Sequence, residues 1–163
     1  MAAINRHTSL FLDVHLMIYN PFDFIEKFIE AGADMITFHQ EVTEDAEDII
    51  KYVKKCGKKV GIAFNPETSF AMAEGYLELC DLILFMSVRP GKGGQKFIPK
   101  VLEKIEFAKK MGKGLEFDIQ VDGGINLETA GMCKKAGANF LVSGTYLYGF
   151  EDLKVGVDNL RNG

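Results

Sequence analysis

The chain alternates between apolar strand-like segments and amphipathic helical segments along its whole length. The strand-like segments are residues 10–18, 34–41, 58–65, 81–88, 115–124 and 139–146. Each is followed by a helical segment, and these are residues 21–32, 44–57, 69–80, 99–112, 126–137 and 151–162. Because the strands are apolar along most of their length, we expect helices to bury them on both faces. The pattern predicts a parallel α/β architecture in a single domain spanning residues 1–163.

Two architectures are compatible with this alternation, a closed βα barrel and an open doubly wound sheet. Both place their functional sites at the carboxyl ends of the strands. No GxGxxG motif follows the first strand, whereas glycine-rich turns follow the last three strands, where barrels often bind phosphate. We therefore favour the barrel. A closed (β/α)8 barrel has eight strands and about 250 residues, so six strands predict an incomplete one.

Composition narrows the possible partners and the cellular location. The formal net charge is −4, and the paired lysines stand at the ends of predicted helices, so nucleic-acid binding is not expected. The three cysteines form no CxxC pair, which is typical of a reduced, cytoplasmic protein. No apolar run approaches the length needed to cross a membrane. The partner expected from these features is a small molecule.

Three glycine-containing turns follow successive strands near the end of the chain. They are PGKGGQ at 90–95, VDGG at 121–124 and VSGT at 142–145. Bare backbone N–H groups and helix N-termini both favour anions, so the three turns together predict a phosphate site. The alternative is that the fold alone requires these turns.

Polar side chains at other strand ends are candidates for chemistry. Asp122 precedes the second glycine pair, where it is a candidate acid/base group or metal ligand, or else a turn residue. His15 shares a strand face with Asp13 and is either a ligand, a proton relay or a core histidine. His39 and Glu41 share a face at i, i+2 and are ligands, supporting groups or rim residues.

Six motifs occur in order: LDVHLMI, the H-x-E of FHQE, VGIAFNPET, MSVRPGKGGQKFIP, VDGGIN and AGANFLVSGT. Together they resemble the ribulose-phosphate 3-epimerase family, from about residue 8 to residue 162. The resemblance implies a (β/α)8 barrel and an isomerase of the pentose phosphate pathway that interconverts D-ribulose 5-phosphate and D-xylulose 5-phosphate. It also implies two aspartates working on opposite faces of C3, with a divalent metal stabilising the enediolate oxygen.

The same resemblance implies roles for individual residues. His15 and Asp122 correspond to metal ligands, and Asp122 also to one of the two acid/base groups. The metal would be zinc, with iron, manganese or cobalt as alternatives. The residues matching substrate and phosphate contacts are His15, Gly91, Lys92, Gly93, Gly94, Gly123, Gly124, Gly144 and Thr145. The residues matching pocket-lining methionines are Met17 and Met86, and those that would support the ligands are Asp13, His39 and Glu41.

The sequence also departs from the family pattern. The family has two earlier strands, of which one carries an H-x-D motif with two metal ligands, and no such motif precedes residue 8 here. Smaller departures occur at Arg89, Lys92 and the pair Thr145–Tyr146. We therefore expect weakened or lost metal binding, little epimerase activity of the isolated chain, and self-association into a homo-oligomer through unpaired strand edges. The alternatives are a non-catalytic sugar-phosphate-binding protein and an epimerase for another ketose phosphate such as allulose 6-phosphate.

Overall fold

The strands form one six-stranded sheet in a computed structural model that describes all 163 residues. Every neighbouring pair is parallel, and the order in the sheet follows the chain. The strands are β1 (Asp13–Leu16), β2 (Met35–His39), β3 (Lys59–Phe64), β4 (Leu82–Met86), β5 (Asp118–Asp122) and β6 (Phe140–Val142). The predicted parallel α/β architecture with six strands is confirmed.

The sheet curves strongly, as part of a barrel wall does. Strands in a sheet lie about 4.8 Å apart, so β1 and β5 of a flat sheet would be separated by roughly 19 Å. Instead the Gln120 amide on β5 donates a hydrogen bond of 2.9 Å to the Asp13 carboxylate on β1. The side chains of the concave face therefore meet across the interior, as the incomplete barrel requires.

Apolar residues of the two sheet faces form two separate clusters. The convex face packs against the helices in a cluster of 28 buried residues that includes Phe38, Phe64 and Phe85. The concave face holds a smaller cluster made of Met35, Ala63, Leu82, Leu84, Met86 and Val88. The expectation that helices bury both faces of the strands is therefore wrong, because side chains of the strands themselves fill the concave face. Burial of both faces still explains why the strands are apolar throughout.

The α-helices are α1 (Ala2–Asn5), α2 (Phe22–Glu30), α3 (Ala46–Lys55), α4 (Ala71–Glu74), α5 (Val101–Met111), α6 (Leu127–Ala136) and α7 (Leu153–Asn162). Helices α2 to α6 connect successive strands, whereas α1 precedes β1 and α7 follows β6. The prediction of a helix over 69–80 is wrong, because α4 ends at Glu74. Tight turns continue from Gly75, with the Tyr76 and Leu77 N–H groups bonding three residues back. A glycine costs about 1 kcal/mol inside a helix, which favours this early end.

All six strands end before the residue that the sequence pattern predicts, and in three of them this changes the position of nearby residues. β1 ends at Leu16, so Met17 follows the strand instead of lying within it. β2 ends at His39 and a short 3-10 turn spans Gln40–Val42, so His39 and Glu41 do not share a strand face. β6 ends at Val142, which pairs with Asp122, the last residue of β5. The segment after β5 turns away at Gly123, so β6 has no further partner on that side.

The two edge strands, β1 and β6, each pair on one side only. Large apolar side chains near both edges are exposed, among them Leu10, Phe11, Phe140 and Val142. Exposed apolar edges promote association, so the homo-oligomer stays a prediction. None of the helices has both the length and the apolar character that a membrane crossing would need.

Candidate active site

A cavity of about 870 Å³ opens where the carboxyl ends of β4, β5 and β6 meet. Its walls are the loop after β4, the turn after β5 and the turn after β6. The sequence-predicted residues that line it are Met17, Met86, Gly91, Lys92, Gly93, Gly94, Asp122, Gly123, Gly124, Gly144 and Thr145. Asp122 is the only carboxylate among the lining residues, whereas Arg89, Lys92 and Lys96 supply positive charge. The balance of charge in the walls favours an anionic ligand.

The glycine turns are shaped by close backbone packing. Gly123 and Gly124 both have positive φ, at 120° and 62°. A Cβ atom on Gly124 would lie 2.8 Å from the Phe97 backbone nitrogen, so the loop after β4 rests directly on this turn. The Ser87 hydroxyl, at the end of β4, donates to the carbonyls of Asp122 and Gly123. The turn is therefore fixed against two neighbouring segments before any ligand binds.

Helix α6 begins immediately after this turn. Its N-cap is Asn126, whose side chain accepts a hydrogen bond of 3.0 Å from the Thr129 N–H, and the Thr129 hydroxyl accepts one from the Asn126 N–H in return. The N-terminus of α6 thus points its positive dipole end toward the glycine turns. This arrangement suits a phosphate group.

Replacing Gly124 with alanine should destabilise the turn and weaken anion binding. A left-handed φ costs an L-residue about 1–2 kcal/mol, and the new Cβ would collide with the Phe97 backbone. We expect Gly124→Ala to lower the free energy of unfolding by that amount in urea titrations and to weaken inorganic phosphate binding in calorimetry. Gly131→Ala is the matched control, since a Cβ at this helical position meets no atom within 4 Å. Equal phosphate affinity in Gly124→Ala and wild type would contradict the prediction.

His15 is not among the residues that line the cavity, but from β1 it approaches Asp122, which is. The distance between His15 Nδ1 and Asp122 Oδ2 is 3.9 Å, which is too long for a hydrogen bond. Burial, together with repulsion from His39, lowers the His15 pKa to about 4, so the ring is neutral at pH 7. Burial raises the Asp122 pKa above its usual value against the opposing effect of His39. A carboxylate with a raised pKa accepts a proton more readily.

His39 supports this pair from β2. Its ring stacks on the His15 ring with centroids 4.9 Å apart, and its Nδ1 lies 3.3 Å from Glu41 Oε2. Burial alone would raise the Glu41 pKa, but hydrogen bonds from His39, the Thr68 hydroxyl and the Asn65 N–H together lower it to about 2. Glu41 is therefore ionised and can only accept, so the His39 Nδ1–H donates to it.

The remaining predicted residue, Asp13, lies deeper inside the curve of the sheet. Its carboxylate accepts hydrogen bonds from the Thr37 hydroxyl, at 3.1 Å, and from the Gln120 amide. It therefore links β1, β2 and β5 below the His15–Asp122 pair. Two residues that were not predicted also act near this pair: Lys104 donates to carbonyls of the loop after β3, and the Thr68 hydroxyl donates to Glu41.

His15 and Asp122 are the two candidate metal donors of this site. His15 offers a neutral ring with a buried Nε2 that has no hydrogen-bond partner in the protein, and Asp122 offers a carboxylate. No group of three His, Cys, Asp or Glu side chains comes together that could hold a metal ion. Catalytic zinc normally has three protein ligands. The two donors of this chain do not make such a site, and no step below depends on a metal.

Comparison with known proteins points to one family. The sequence profile of the ribulose-phosphate 3 epimerase family matches residues 1–148. A ribulose-phosphate 3-epimerase of Chlamydia muridarum is 51% identical over 152 residues, which cover 91% of this chain and 67% of the relative. The Bacillus subtilis enzyme of the same name is 43% identical, over 98% of this chain and 75% of the relative. The chain spans about two thirds of the length of the Chlamydia relatives it matches.

Solved structures support the barrel fold. A 3-hexulose-6-phosphate synthase superposes with a TM-score of 0.71 at 21% identity, covering 98% of this chain and 77% of that one. KGPDC from Streptococcus mutans superposes with a TM-score of 0.75 at 13% identity, covering 99% and 75%. At these identities the likeness shows the fold alone, which is the (β/α)8 type with six of its strands present in this chain.

Proposed function

Because the chain belongs to the ribulose-phosphate 3-epimerase family, we propose that its cavity binds a ketopentose phosphate with C3 beside Asp122. The family consists of isomerases that interconvert D-ribulose 5-phosphate and D-xylulose 5-phosphate. The observation that carries the proposal is the position of Asp122. This single carboxylate of the cavity wall precedes the Gly123–Gly124 turn and faces His15.

The phosphate would lie against the glycine turns, at the N-terminus of α6. Backbone N–H groups of the glycines can approach an anion closely because these residues have no side chain, and the glycines are Gly91, Gly93, Gly94, Gly123 and Gly124. Lys92 lines the same wall and adds a positive charge. Binding the phosphate here fixes the sugar, so that its C3 is held near the carboxylate at the end of β5.

Asp122 would act as the acid/base group on one face of the sugar. Its carboxylate removes the C3 proton, the electron pair moves into an enediolate, and the carboxylic acid returns a proton to C3. A proton returned by the same group reaches the same face and restores the same epimer. Inversion requires delivery to the opposite face by a second group, and no other carboxylate lines the cavity.

The family uses a divalent metal. Zinc is the ion we propose for the imidazole and carboxylate donors of this chain, because such ligands suit zinc. Iron, manganese and cobalt accept the same ligands. His15 and Asp122 are the two residues of this chain that would contribute, and they are too few for a closed site. Proton transfer is assigned to Asp122 alone, because no other carboxylate lines the cavity.

The experiment that tests the proposed function separates exchange from inversion. The 163-residue protein is incubated in D₂O with each pentulose phosphate in turn, and ¹H NMR follows the loss of the C3 proton and the formation of the other epimer. We expect one epimer to exchange its C3 proton faster than it inverts. Equal rates of exchange and inversion would show a second acid/base group in this chain and contradict the assignment.

Two other outcomes correspond to the alternative functions. Binding of ribulose 5-phosphate without exchange of either epimer would indicate a non-catalytic sugar-phosphate-binding protein, an alternative favoured by the lack of a second carboxylate in the cavity wall. Faster exchange with allulose 6-phosphate than with either pentulose phosphate would indicate a hexulose-phosphate epimerase. The same NMR assay distinguishes all three.

A further inference from the structure

A buried lysine outside the cavity wall makes an unusual set of contacts. Lys104 lies on α5 between apolar residues and is 8% exposed. Its ammonium group donates hydrogen bonds to the carbonyl oxygens of Asn65, Pro66 and Thr68 at 2.9, 2.7 and 2.6 Å. Three acceptors satisfy all three ammonium hydrogens. Lys104 therefore fixes the loop that follows β3.

The fixed loop in turn holds Glu41. The Asn65 N–H donates to Glu41 Oε1 at 2.7 Å, and the Thr68 hydroxyl donates to the same oxygen. Both donors belong to the short segment whose carbonyls Lys104 binds. The position of this carboxylate oxygen is thus set by the loop.

Glu41 also contacts one of the two histidines near the candidate acid/base group. Its other oxygen accepts from His39 Nδ1, and the His39 ring stacks on His15 with an angle of 23° between the planes. His15 faces Asp122. A continuous series of contacts therefore runs from Lys104 to the carboxylate that we propose as the acid/base group.

A charged residue at position 104 is costly in terms of stability. Burial lowers the Lys104 pKa, which reflects the loss of hydration of the ammonium group. The neighbouring buried residues of α5 are the apolar Val101, Ile105 and Ala108. An apolar side chain at position 104 would avoid the cost but could not bind the loop carbonyls. Packing of α5 alone therefore does not account for a lysine here.

We propose that Lys104 is a positioning residue, which holds the loop after β3 so that Glu41 and His39 keep His15 in place beside Asp122. The inference rests on the proposed function only in treating His15 and Asp122 as active-site residues. It assigns to Lys104 no contact with substrate.

The test compares Lys104→Met with a matched control, Lys134→Met. Lys134 likewise donates to three carbonyl oxygens, those of Leu160, Arg161 and Gly163, but it ties α6 to α7 and not to the site. Protein labelled with ¹⁵N and ¹³C in its three histidines is measured by NMR. The nuclear Overhauser effect between the His15 and His39 rings reports their stacking, and the exposed His7 serves as the internal reference.

We expect Lys104→Met to lose the ring-to-ring effect and to shift the His15 and His39 signals, while Lys134→Met keeps both. Unchanged histidine signals in folded Lys104→Met would overturn the proposal, whatever its melting temperature. Should Lys104→Met not fold, Thr68→Val replaces it, since this variant removes one donor to Glu41 and keeps the loop carbonyls. A weakened ring-to-ring effect in Thr68→Val supports the proposal, and an unchanged one overturns it.

No substrate enters this measurement, so its result is independent of the exchange assay. If Lys104→Met loses the contact between the histidine rings and the wild-type protein exchanges no C3 proton, the positioning role stands and the proposed function is refuted. If Lys104→Met keeps the contact and the wild-type protein exchanges the C3 proton, the positioning role is refuted and the proposed function stands.

Discussion

Replacing Asp122 with asparagine should slow exchange of the C3 proton by about 10²–10⁴-fold, the range expected for loss of a positioned acid/base group. Asparagine keeps the shape of the side chain but does not accept a proton at neutral pH. The rates of Asp122→Asn and wild type are compared in D₂O by ¹H NMR with the epimer that exchanges. Sugar-phosphate affinity, measured by calorimetry, should persist because the glycine turns do not depend on the carboxylate.

The matched control is Asp118→Asn on the same strand. Asp118 lies at the opposite end of β5, where its carboxylate accepts a hydrogen bond of 2.7 Å from Asn139. Its replacement should lower stability slightly and leave the exchange rate unchanged. Wild-type exchange in Asp122→Asn would assign the base to another residue. Loss of exchange in both variants would trace the effect to the strand and not to the carboxylate.

The fold was predictable because its signal is repeated and local. Each strand carries its own apolar pattern, and each of the helices α2 to α7 ends near a glycine or a basic last turn, whereas the short α1 (Ala2–Asn5) has neither signal and was not predicted. The polar residues of the mouth could be found for the same reason, since Asp122 and His15 stand at strand ends that parallel topology brings to one edge. Their pairing as ligands was an implication of the family resemblance, and their approach to 3.9 Å depends on the curvature that brings β1 and β5 together across the interior.

Other features depend on contacts that local pattern does not encode. Helical spacing places Lys104 on the same face as Val101 and Ala108, whereas Lys109 and Lys110 are exposed. What Lys104 binds could not be predicted, because its acceptors lie more than thirty residues earlier in the chain. Glu41 illustrates a partial success. The i, i+2 spacing associated it with His39, but the strand ends at His39, and the carboxylate turns back to its partner from a 3-10 turn.

Acidification should reveal the hydrogen bonds to Glu41 as a loss of stability. The Glu41 pKa is lowered in the folded protein to about 2, from an ordinary value of 4.5. The stabilisation is therefore complete above pH 4.5 and disappears as the pH falls toward 2. Glu41 as a whole residue is exposed, and 23% of its side chain is exposed. Solvent screening therefore makes the stabilisation smaller than the full pKa shift would give. We expect a contribution of about 2 kcal/mol to the free energy of unfolding.

Glu41→Gln should remove this pH dependence and cost stability at neutral pH. The free energy of unfolding is measured in urea at pH 6, 4.5 and 3, and the difference between wild type and variant should shrink as the pH falls. Glu47→Gln is the matched control, since Glu47 forms an exposed pair with Lys51 on α3. Surface pairs of this kind contribute about 0.3–0.5 kcal/mol. A constant difference between Glu41→Gln and wild type across this range would contradict the role of Glu41.

The glutamine should also change the tautomer of His39. Its single oxygen has to accept from the Asn65 N–H, which can only donate, so its amide group faces His39 Nδ1. Nδ1 must then accept, and the ring proton moves to Nε2, which is buried and has no hydrogen-bond partner in the protein. A buried donor without a partner costs about 1–3 kcal/mol. We therefore expect the ¹⁵N signals of His39 to show the Nδ1–H tautomer in wild type and the Nε2–H tautomer in Glu41→Gln, and the same tautomer in both would refute the arrangement.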